Sequence, residues 1–230
     1  MKDYNARIIN MNYLNKNVVE ITFKIEHGKK MEFTPGQFVI LEVSETPSIK
    51  RAYSVLDYNP DTNEMKLGIK KVEGGQATSI IFNDFEVGIN VRISKARGKQ
   101  LVVNKASEGI VLIATGIGVT PMFCVLKDLI KTNYSGDIDF IYGVRTSEEL
   151  YYKDDIQSLV DGNRKARFHP VLSEEKVEGI HKGYVTDVLH HVNLDNKHIY
   201  LCGPKIVESL LKDNLSSRGF DMRNFRCESA

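Results

Sequence analysis

The sequence predicts two domains: an antiparallel β-barrel or sandwich over residues 1–105, then an α/β domain with a parallel sheet over residues 106–230. Three observations support this. The chain has 230 residues, enough for two domains of ordinary size. Its first half contains short runs of alternating apolar and polar residues between turn formers. From Gly109 the pattern changes to strand, helix, strand, helix, which favours a parallel sheet covered by helices. We place the boundary near residues 103–108.

Val19–Ile25 is the clearest strand of the first half, with four apolar residues alternating with three polar ones. Glu26–Lys29 follows as a predicted turn. The further predicted strands of this half are Gln37–Val43, Tyr53–Leu56, Met65–Ile69 and Val91–Ile93.

The second half begins with Ile110–Ala114, an apolar run long enough for a buried strand. Its other predicted strands are Ile138–Val144, Arg167–Leu172 and His198–Cys202, and its predicted helices are Met122–Lys131, Glu148–Val160, Tyr184–His191 and Lys205–Arg218. The carboxyl ends of parallel strands meet at one edge, where ligands bind. We therefore expect Gly116–Pro121, Gly143–Arg145, Leu172–Ser173 and Cys202–Pro204 to line the same edge.

Two glycine turns are candidate phosphate sites. Thr115–Thr120 holds two glycines and a candidate helix cap, and Pro121 suits a first helical position. Gly74–Ser79 places two glycines before hydroxyl residues and an apolar run. A strand or glycine turn leading into a helix directs backbone N–H groups at an anion. Each turn taken alone is equally compatible with a plain structural connection.

Composition excludes several classes of function. The formal net charge of +1 gives no reason to expect nucleic-acid binding. We find no signal peptide and no apolar run that could span a membrane, and so expect a cytoplasmic protein. Three widely spaced cysteines argue against a disulfide framework and against a four-cysteine iron–sulfur cluster within this chain. The six histidines have no ligand spacing, so we expect no metal site.

Five motifs in order resemble the ferredoxin–NADP⁺ reductase-like family of flavoproteins: Arg51-x-Tyr53-Ser54, Ile69-Lys70 running into Gly74-Gly75-x-x-Thr78, Gly116-x-Gly118-x-x-Pro121, Cys202-Gly203-Pro204, and Glu228 near the end. The resemblance implies an N-terminal barrel that binds FAD and a C-terminal domain that binds NADH or NADPH.

The resemblance also implies roles in the first domain. Arg51 would pair with the FAD pyrophosphate, Tyr53 would lie against the isoalloxazine, and Ser54 would hydrogen-bond near flavin N5. Backbone at Gly74 and Gly75, with the Thr78 hydroxyl, would hold the pyrophosphate. Ile69 and Lys70 complete the predicted FAD contacts.

In the second domain, Gly116, Gly118 and Pro121 would form the turn under the dinucleotide. Cys202 and Glu228 would lie close to the reactive atoms, and together with Ser54 they are the predicted catalytic residues. The other predicted nucleotide contacts are Thr115, Thr120, Arg145, Ser173, Gly203 and Pro204.

The sequence departs from the family pattern at two places. Lys95–Lys99 stands where many members have a proline–glycine segment at the end of the barrel. No aromatic residue follows Glu228, so the nicotinamide would meet less obstruction at the flavin.

By resemblance, the nicotinamide delivers hydride to the flavin, which passes single electrons to a separate acceptor such as a ferredoxin, flavodoxin or oxygenase. The alternatives are reduction of free flavin and a non-catalytic nucleotide-binding subunit. Glu174 and Glu175 favour NADH by repelling a 2′-phosphate, although Arg145 could still supply a cation. A basic bias in the first half fits either solvated strand edges or a docking patch for an acidic carrier; its residues are Lys50, Lys70, Lys71, Lys95, Arg97 and Lys99.

Overall fold

A computed structural model describes residues 3–26 and 30–229. The chain divides into two compact units, Met1–Lys99 and Gln100–Ala230. This division precedes the predicted boundary at residues 103–108 by a few positions. Most of the predicted turn Glu26–Lys29 lies outside the described residues.

The first unit is a closed six-stranded barrel, and its strands follow the order β1-β2-β5-β4-β3-β6. Its elements are β1 (Asp3–Asn15), β2 (Val18–Ile25), β3 (Phe38–Glu45), β4 (Ser48–Asn59), β5 (Glu64–Lys70), α1 (Gln76–Asp84) and β6 (Asn90–Ser94). All the pairings are antiparallel. Of the two predicted architectures, the antiparallel barrel is confirmed and the sandwich is wrong.

The sequence failed to predict β1, the longest strand. Of its 13 residues only Ala6 and Ile8 are buried, so the alternation that marks a half-buried strand is weak. Backbone pairing with β2 and β6 holds it in place. Strand β4 is also longer than predicted, because its exposed first part carries Lys50 and Arg51.

The second unit is a six-stranded sheet in the order β10-β9-β8-β7-β11-β12. Its elements are β7 (Gly109–Thr115), α2 (Val119–Lys131), β8 (Asp137–Val144), α3 (Lys153–Asp161), β9 (Ala166–Leu172), β10 (His181–Lys182), α4 (Val185–Leu189), β11 (Lys197–Gly203), α5 (Lys205–Ser217) and β12 (Phe225–Ser229). Every pairing is parallel, as predicted. The edge strands β10 and β12 were not predicted, because one has two residues and the other has a single buried residue.

The predicted helix Glu148–Val160 is wrong in its first turn. Ser147–Glu149 forms a separate 3₁₀ turn, and α3 begins only at Lys153. Tyr152 separates them with a φ of 60°, a left-handed conformation that an α-helix cannot include. The predicted helix Tyr184–His191 is shorter by a residue or two at each end.

Strand β7 is fixed at its start by a buried charged side chain. Lys197, at the start of β11, extends across the α-carbon of Gly109, where any Cβ would collide with its methylenes. It donates a hydrogen bond of 2.8 Å to Asp139 on β8. Asp139 is 2% exposed and also bonds His169 at 3.0 Å. This pairing of buried charges joins strands β8, β9 and β11 across β7.

Candidate nucleotide-binding sites

The strand order of the second unit changes direction between β7 and β11, since later strands lie on both sides of β7. Ligands in such sheets bind at the carboxyl ends of the strands near this point. The segments that we expected at one edge follow β7, β8, β9 and β11, so they do share the carboxyl edge.

The glycine turn after β7 combines an open glycine with a crowded one. Gly116 has a φ of +56°, and a Cβ there would meet nothing within 4 Å. Gly118 is buried, and a Cβ there would overlap the carbonyl oxygen of Cys202 on β11. The first glycine therefore leaves space above the turn, and the second lets the turn approach the neighbouring strand.

The helix begins earlier than predicted. Gly116–Gly118 forms a 3₁₀ turn and α2 starts at Val119, so Pro121 is the third helical residue and not the first. Its missing N–H still falls in the first turn, where backbone donors lack helical partners. Thr120 is not a cap: its hydroxyl donates to the carbonyl of Ile117 at 3.0 Å, and no side chain caps α2.

Thr115 carries a buried hydroxyl that has no hydrogen-bond partner among the described residues. It ends β7 and lies against Gly203 at the end of β11, where a Cβ would overlap its Oγ1. A buried polar atom without a partner is unfavourable unless a ligand or water satisfies it. The open Gly116, the close strand ends and this hydroxyl together fit a bound dinucleotide.

Cys202 and Glu228 are register partners on β11 and β12. Burial raises the pKa of the Cys202 thiol to about 12, with a further contribution from the charge of Glu228. Burial also raises the pKa of Glu228 above its ordinary value. Cys202 is therefore a neutral thiol at physiological pH, suited to packing rather than to nucleophilic attack. Pro204 is exposed and precedes α5.

Arg145 and Ser173 follow β8 and β9, and the two loops are bonded to each other. Ser173 donates its N–H to Val144 at 3.0 Å, and Glu174 donates to the carbonyl of Arg145 at 2.9 Å. The Arg145 guanidinium lies 2.9 Å from Glu149. Glu149 is not among the residues predicted for the site, although its spacing of four residues from Arg145 was a usable signal.

In the barrel, Arg51, Tyr53 and Ser54 lie on β4, paired with β3. Arg51 is exposed and donates one bond to the carbonyl of Lys50. Tyr53 is half-buried; burial raises its pKa to about 12, although the Arg51 charge acts in the opposite direction. Its hydroxyl therefore stays protonated.

The glycine turn before α1 repeats the pattern of the other unit. Gly74 has a φ of +67° and open space where a Cβ would lie, whereas Gly75 is crowded by Thr78 and Val72. The Thr78 hydroxyl accepts from the N–H of Val72 at 3.1 Å and lies 3.2 Å from the carbonyls of Val72 and Gly75. Thr78 is 6% exposed, so it shapes the turn from within.

Ile69 and Lys70, the other two predicted FAD contacts, end β5 just before this turn. Ile69 is 1% exposed within the barrel core, which leaves only its backbone for a ligand. The Lys70 side chain is half-buried.

The loop Lys95–Lys99 closes against the start of β3. Arg97 and Phe38 exchange backbone bonds of 2.8 and 2.9 Å, and Gln37 donates to the carbonyl of Gly98 at 3.2 Å. Gly98 has a φ of +92° and packs under the Phe38 ring. These contacts fix the loop without a proline.

No group of three or more His, Cys, Asp or Glu side chains converges on a metal position within residues 3–26 and 30–229. Over the same described ranges, the helices are all too short or too polar to cross a membrane. None of Cys124, Cys202 and Cys227 forms a disulfide.

Two family models match this chain. An oxidoreductase FAD-binding domain matches residues 5–100, and an oxidoreductase NAD-binding domain matches residues 112–213. This order defines a class of two-domain oxidoreductases that bind a flavin and a nicotinamide nucleotide. These two matches, which together span most of the chain, confirm the predicted resemblance to the ferredoxin–NADP⁺ reductase-like family.

One relative is the ferredoxin–NAD(P)⁺ reductase component of the naphthalene 1,2-dioxygenase system of Pseudomonas putida. It is 29% identical over 191 residues, which cover 81% of this chain and 57% of the relative. The chain thus spans less than two thirds of the length of that protein.

Two solved structures have the same fold. A cytochrome P450 reductase from Amycolatopsis has a TM-score of 0.89 at 22% identity, with 99% of this chain and 69% of that one covered. A ferredoxin–NADP⁺ reductase from Neisseria gonorrhoeae, solved with FAD and NADP, has a TM-score of 0.87 at 18% identity. The match covers 100% of this chain and 99% of that one.

Proposed function

We propose that this protein is a flavin-dependent reductase that takes hydride from a nicotinamide nucleotide and delivers single electrons to a separate protein acceptor. The observation that carries the proposal is the repeated glycine turn. In each unit, a glycine with positive φ faces open space two or three residues before an α-helix begins. Such a turn admits a phosphate close to backbone N–H groups.

FAD, when bound, supplies the redox chemistry: it accepts hydride from the reduced nicotinamide and releases electrons one at a time. Arg51 holds the FAD pyrophosphate by its planar guanidinium fork. Tyr53 supports the flavin ring, and Ser54 donates a hydrogen bond near N5. Gly74 and Gly75 present the backbone of the turn, which Thr78 fixes from inside.

In the second unit, Gly116 and Gly118 hold the dinucleotide pyrophosphate, and Thr115 offers the buried hydroxyl to it. Cys202 shapes the nicotinamide position as a neutral, polarizable group. Glu228 holds a carboxyl group next to Cys202, and burial raises the pKa of this carboxyl above its ordinary value.

The name of the Pseudomonas putida relative supports a ferredoxin or an oxygenase component as the acceptor. We place the reaction in the cytoplasm, where proteins rarely contain disulfides; none of the three cysteines here forms one. The basic residues of the first unit offer limited support for docking, because Lys50 is paired with Glu42 at 3.2 Å and Lys71 lies over the Phe82 ring.

Purification of the full chain with FAD tests the proposal. We expect a yellow protein that retains its flavin through gel filtration and bleaches within seconds when NADH is added without oxygen. A colourless protein that reduces added flavin would instead support free-flavin reduction. A yellow protein that does not bleach with NADH or NADPH would support a non-catalytic subunit.

A further inference from the structure

The loops after β8 and β9 form a charged cluster around the residues that bear on the choice between NADH and NADPH. We call this cluster the acidic clasp and define it as Arg145, Glu149, Glu174 and Glu175. Arg145 donates to Glu149 at 2.9 Å, and the backbone N–H of Ser147 donates to Glu175 at 2.6 Å. Of the three carboxylates, Glu149 is the one that is ion-paired with the guanidinium, while Glu175 is held by the backbone of the same loop.

Glu149 is the fixed partner of the central pair. Its side chain is 19% exposed, whereas that of Arg145 is 63% exposed. The carbonyl of Glu149 also accepts a hydrogen bond of 2.9 Å from the hydroxyl of Tyr142, a fully buried residue of β8. The backbone of Glu149 is thus anchored to the sheet, and the more exposed arginine side chain bends to meet its carboxylate.

In dinucleotide-binding sheets, the residue that contacts the adenosine ribose lies near the end of the strand that follows the glycine turn and its helix. The acidic clasp lies at the end of that strand. Here this strand is β8, and Arg145 is the first residue after it. An acidic residue there suits the free 2′-hydroxyl of NADH, whereas a free arginine there suits the 2′-phosphate of NADPH.

We propose that Glu149 sets a preference for NADH over NADPH by holding the Arg145 guanidinium in an ion pair. The net charge of the clasp is negative, so a 2′-phosphate meets repulsion and an arginine that is already engaged. The hydrogen bond and charge of Glu149 also raise the pKa of Arg145. This inference rests on the proposed nicotinamide site and names the residue that selects between its two cofactors.

The test is the variant Glu149→Gln in the FAD-loaded protein. The probes are 5′-AMP and 2′,5′-ADP, which differ only in the 2′-phosphate, and their binding is measured by calorimetry. We expect 2′,5′-ADP to bind about tenfold more tightly to the variant, because a released guanidinium gains a charge-assisted bond to phosphate. Binding of 5′-AMP should stay the same, and kcat/KM for NADPH should rise relative to NADH.

Two control variants isolate the mechanism. Glu148→Gln removes the same charge from the exposed neighbouring residue and should leave both affinities unchanged. The double variant Glu149→Gln with Arg145→Ala should lose the gain for 2′,5′-ADP. An equal gain in Glu148→Gln, or a gain that survives without Arg145, would overturn the inference.

The outcomes also separate this inference from the proposed function. If the unsubstituted protein binds 5′-AMP and Glu149→Gln changes nothing, only the role of Glu149 is wrong. If the unsubstituted protein binds neither probe, the nicotinamide site itself is wrong and this inference falls with it.

Discussion

The two glycine turns resemble each other locally but differ in what holds them. In both, the first glycine has a positive φ and open space, and the second is crowded. Gly75 is crowded by Thr78 and Val72, members of its own loop, whereas Gly118 is crowded by the backbone of Cys202, more than eighty residues later. The barrel turn is therefore fixed locally, and the α/β turn is fixed by the sheet.

The two turns are therefore sensitive to different changes. A local turn tolerates a small shift, because side chains of the same loop can move with it. The turn after β7 lies between two paired strands whose backbones cannot separate without breaking the sheet. The same strand is also fixed at its start, where Lys197 covers Gly109.

The variant Gly118→Ala should have the largest effect. Its Cβ would overlap a backbone carbonyl that cannot rotate away, so we expect a loss of about 3 kcal/mol in the free energy of unfolding. Urea denaturation followed by circular dichroism measures it. Gly162→Ala is the matched control, since a Cβ there meets only ordinary contacts. Equal stability of both variants would contradict the long-range constraint.

Acid should weaken the sheet of the second unit through Asp139. Burial alone would raise the pKa of Asp139, but hydrogen bonds from His169 and Lys197 outweigh burial and lower it from 3.8 to about 2. Because the folded pKa is the lower one, the stabilisation is complete above pH 4 and is lost as the pH falls towards 2. The loss should reach about 2 kcal/mol.

Urea denaturation at a series of pH values measures the acid effect, and Asp139→Asn should remove it while lowering stability at pH 7. The exposed Asp213→Asn should retain the acid effect in full. A pH profile for Asp139→Asn with the same slope as that of the unsubstituted protein would be incompatible with this explanation.

The variant Thr78→Val should weaken the barrel turn by about 1.5 kcal/mol, because the N–H of Val72 loses its acceptor while the shape is kept. We expect FAD to dissociate more readily, which release of flavin during dialysis measures. Thr78→Ser keeps the hydroxyl and should retain FAD. Normal retention of FAD in Thr78→Val would mean that the hydroxyl does not shape the turn.

The smallest effects belong to the two open glycines, Gly74→Ala and Gly116→Ala. Each places an L-residue at positive φ without a collision, so each should lower stability by about 1 kcal/mol. The paired comparison is informative for binding: Gly74→Ala should weaken FAD alone, and Gly116→Ala should raise the KM for NADH alone. A variant that affects both nucleotides equally would refute the assignment of one turn to each.

Periodicity predicted most of the strands because apolar and polar residues alternate along β2 and β5. Burial itself alternates in β3, whereas in β2 the polar residues Glu20 and Thr22 are buried as well. Periodicity failed at β1, which has few buried residues, and at α3, where the conformation of Tyr152 delays the helix. For the site, the glycine and hydroxyl pattern predicted both turns. It could not predict that the Thr78 hydroxyl bonds within its own loop, or that Glu149 binds Arg145.

Periodicity predicted the two domains, because it acts locally along the chain, and the resemblance carried by the five motifs implied the nucleotide that each domain binds. Tertiary structure alone decided the contacts between distant residues. The strand order brings Gly118 against Cys202 and pairs Asp139 with Lys197. It also buries the Thr115 hydroxyl beside Gly203, without a hydrogen-bond partner among the described residues. These contacts depend on which strands become neighbours, and local periodicity carries no information about that.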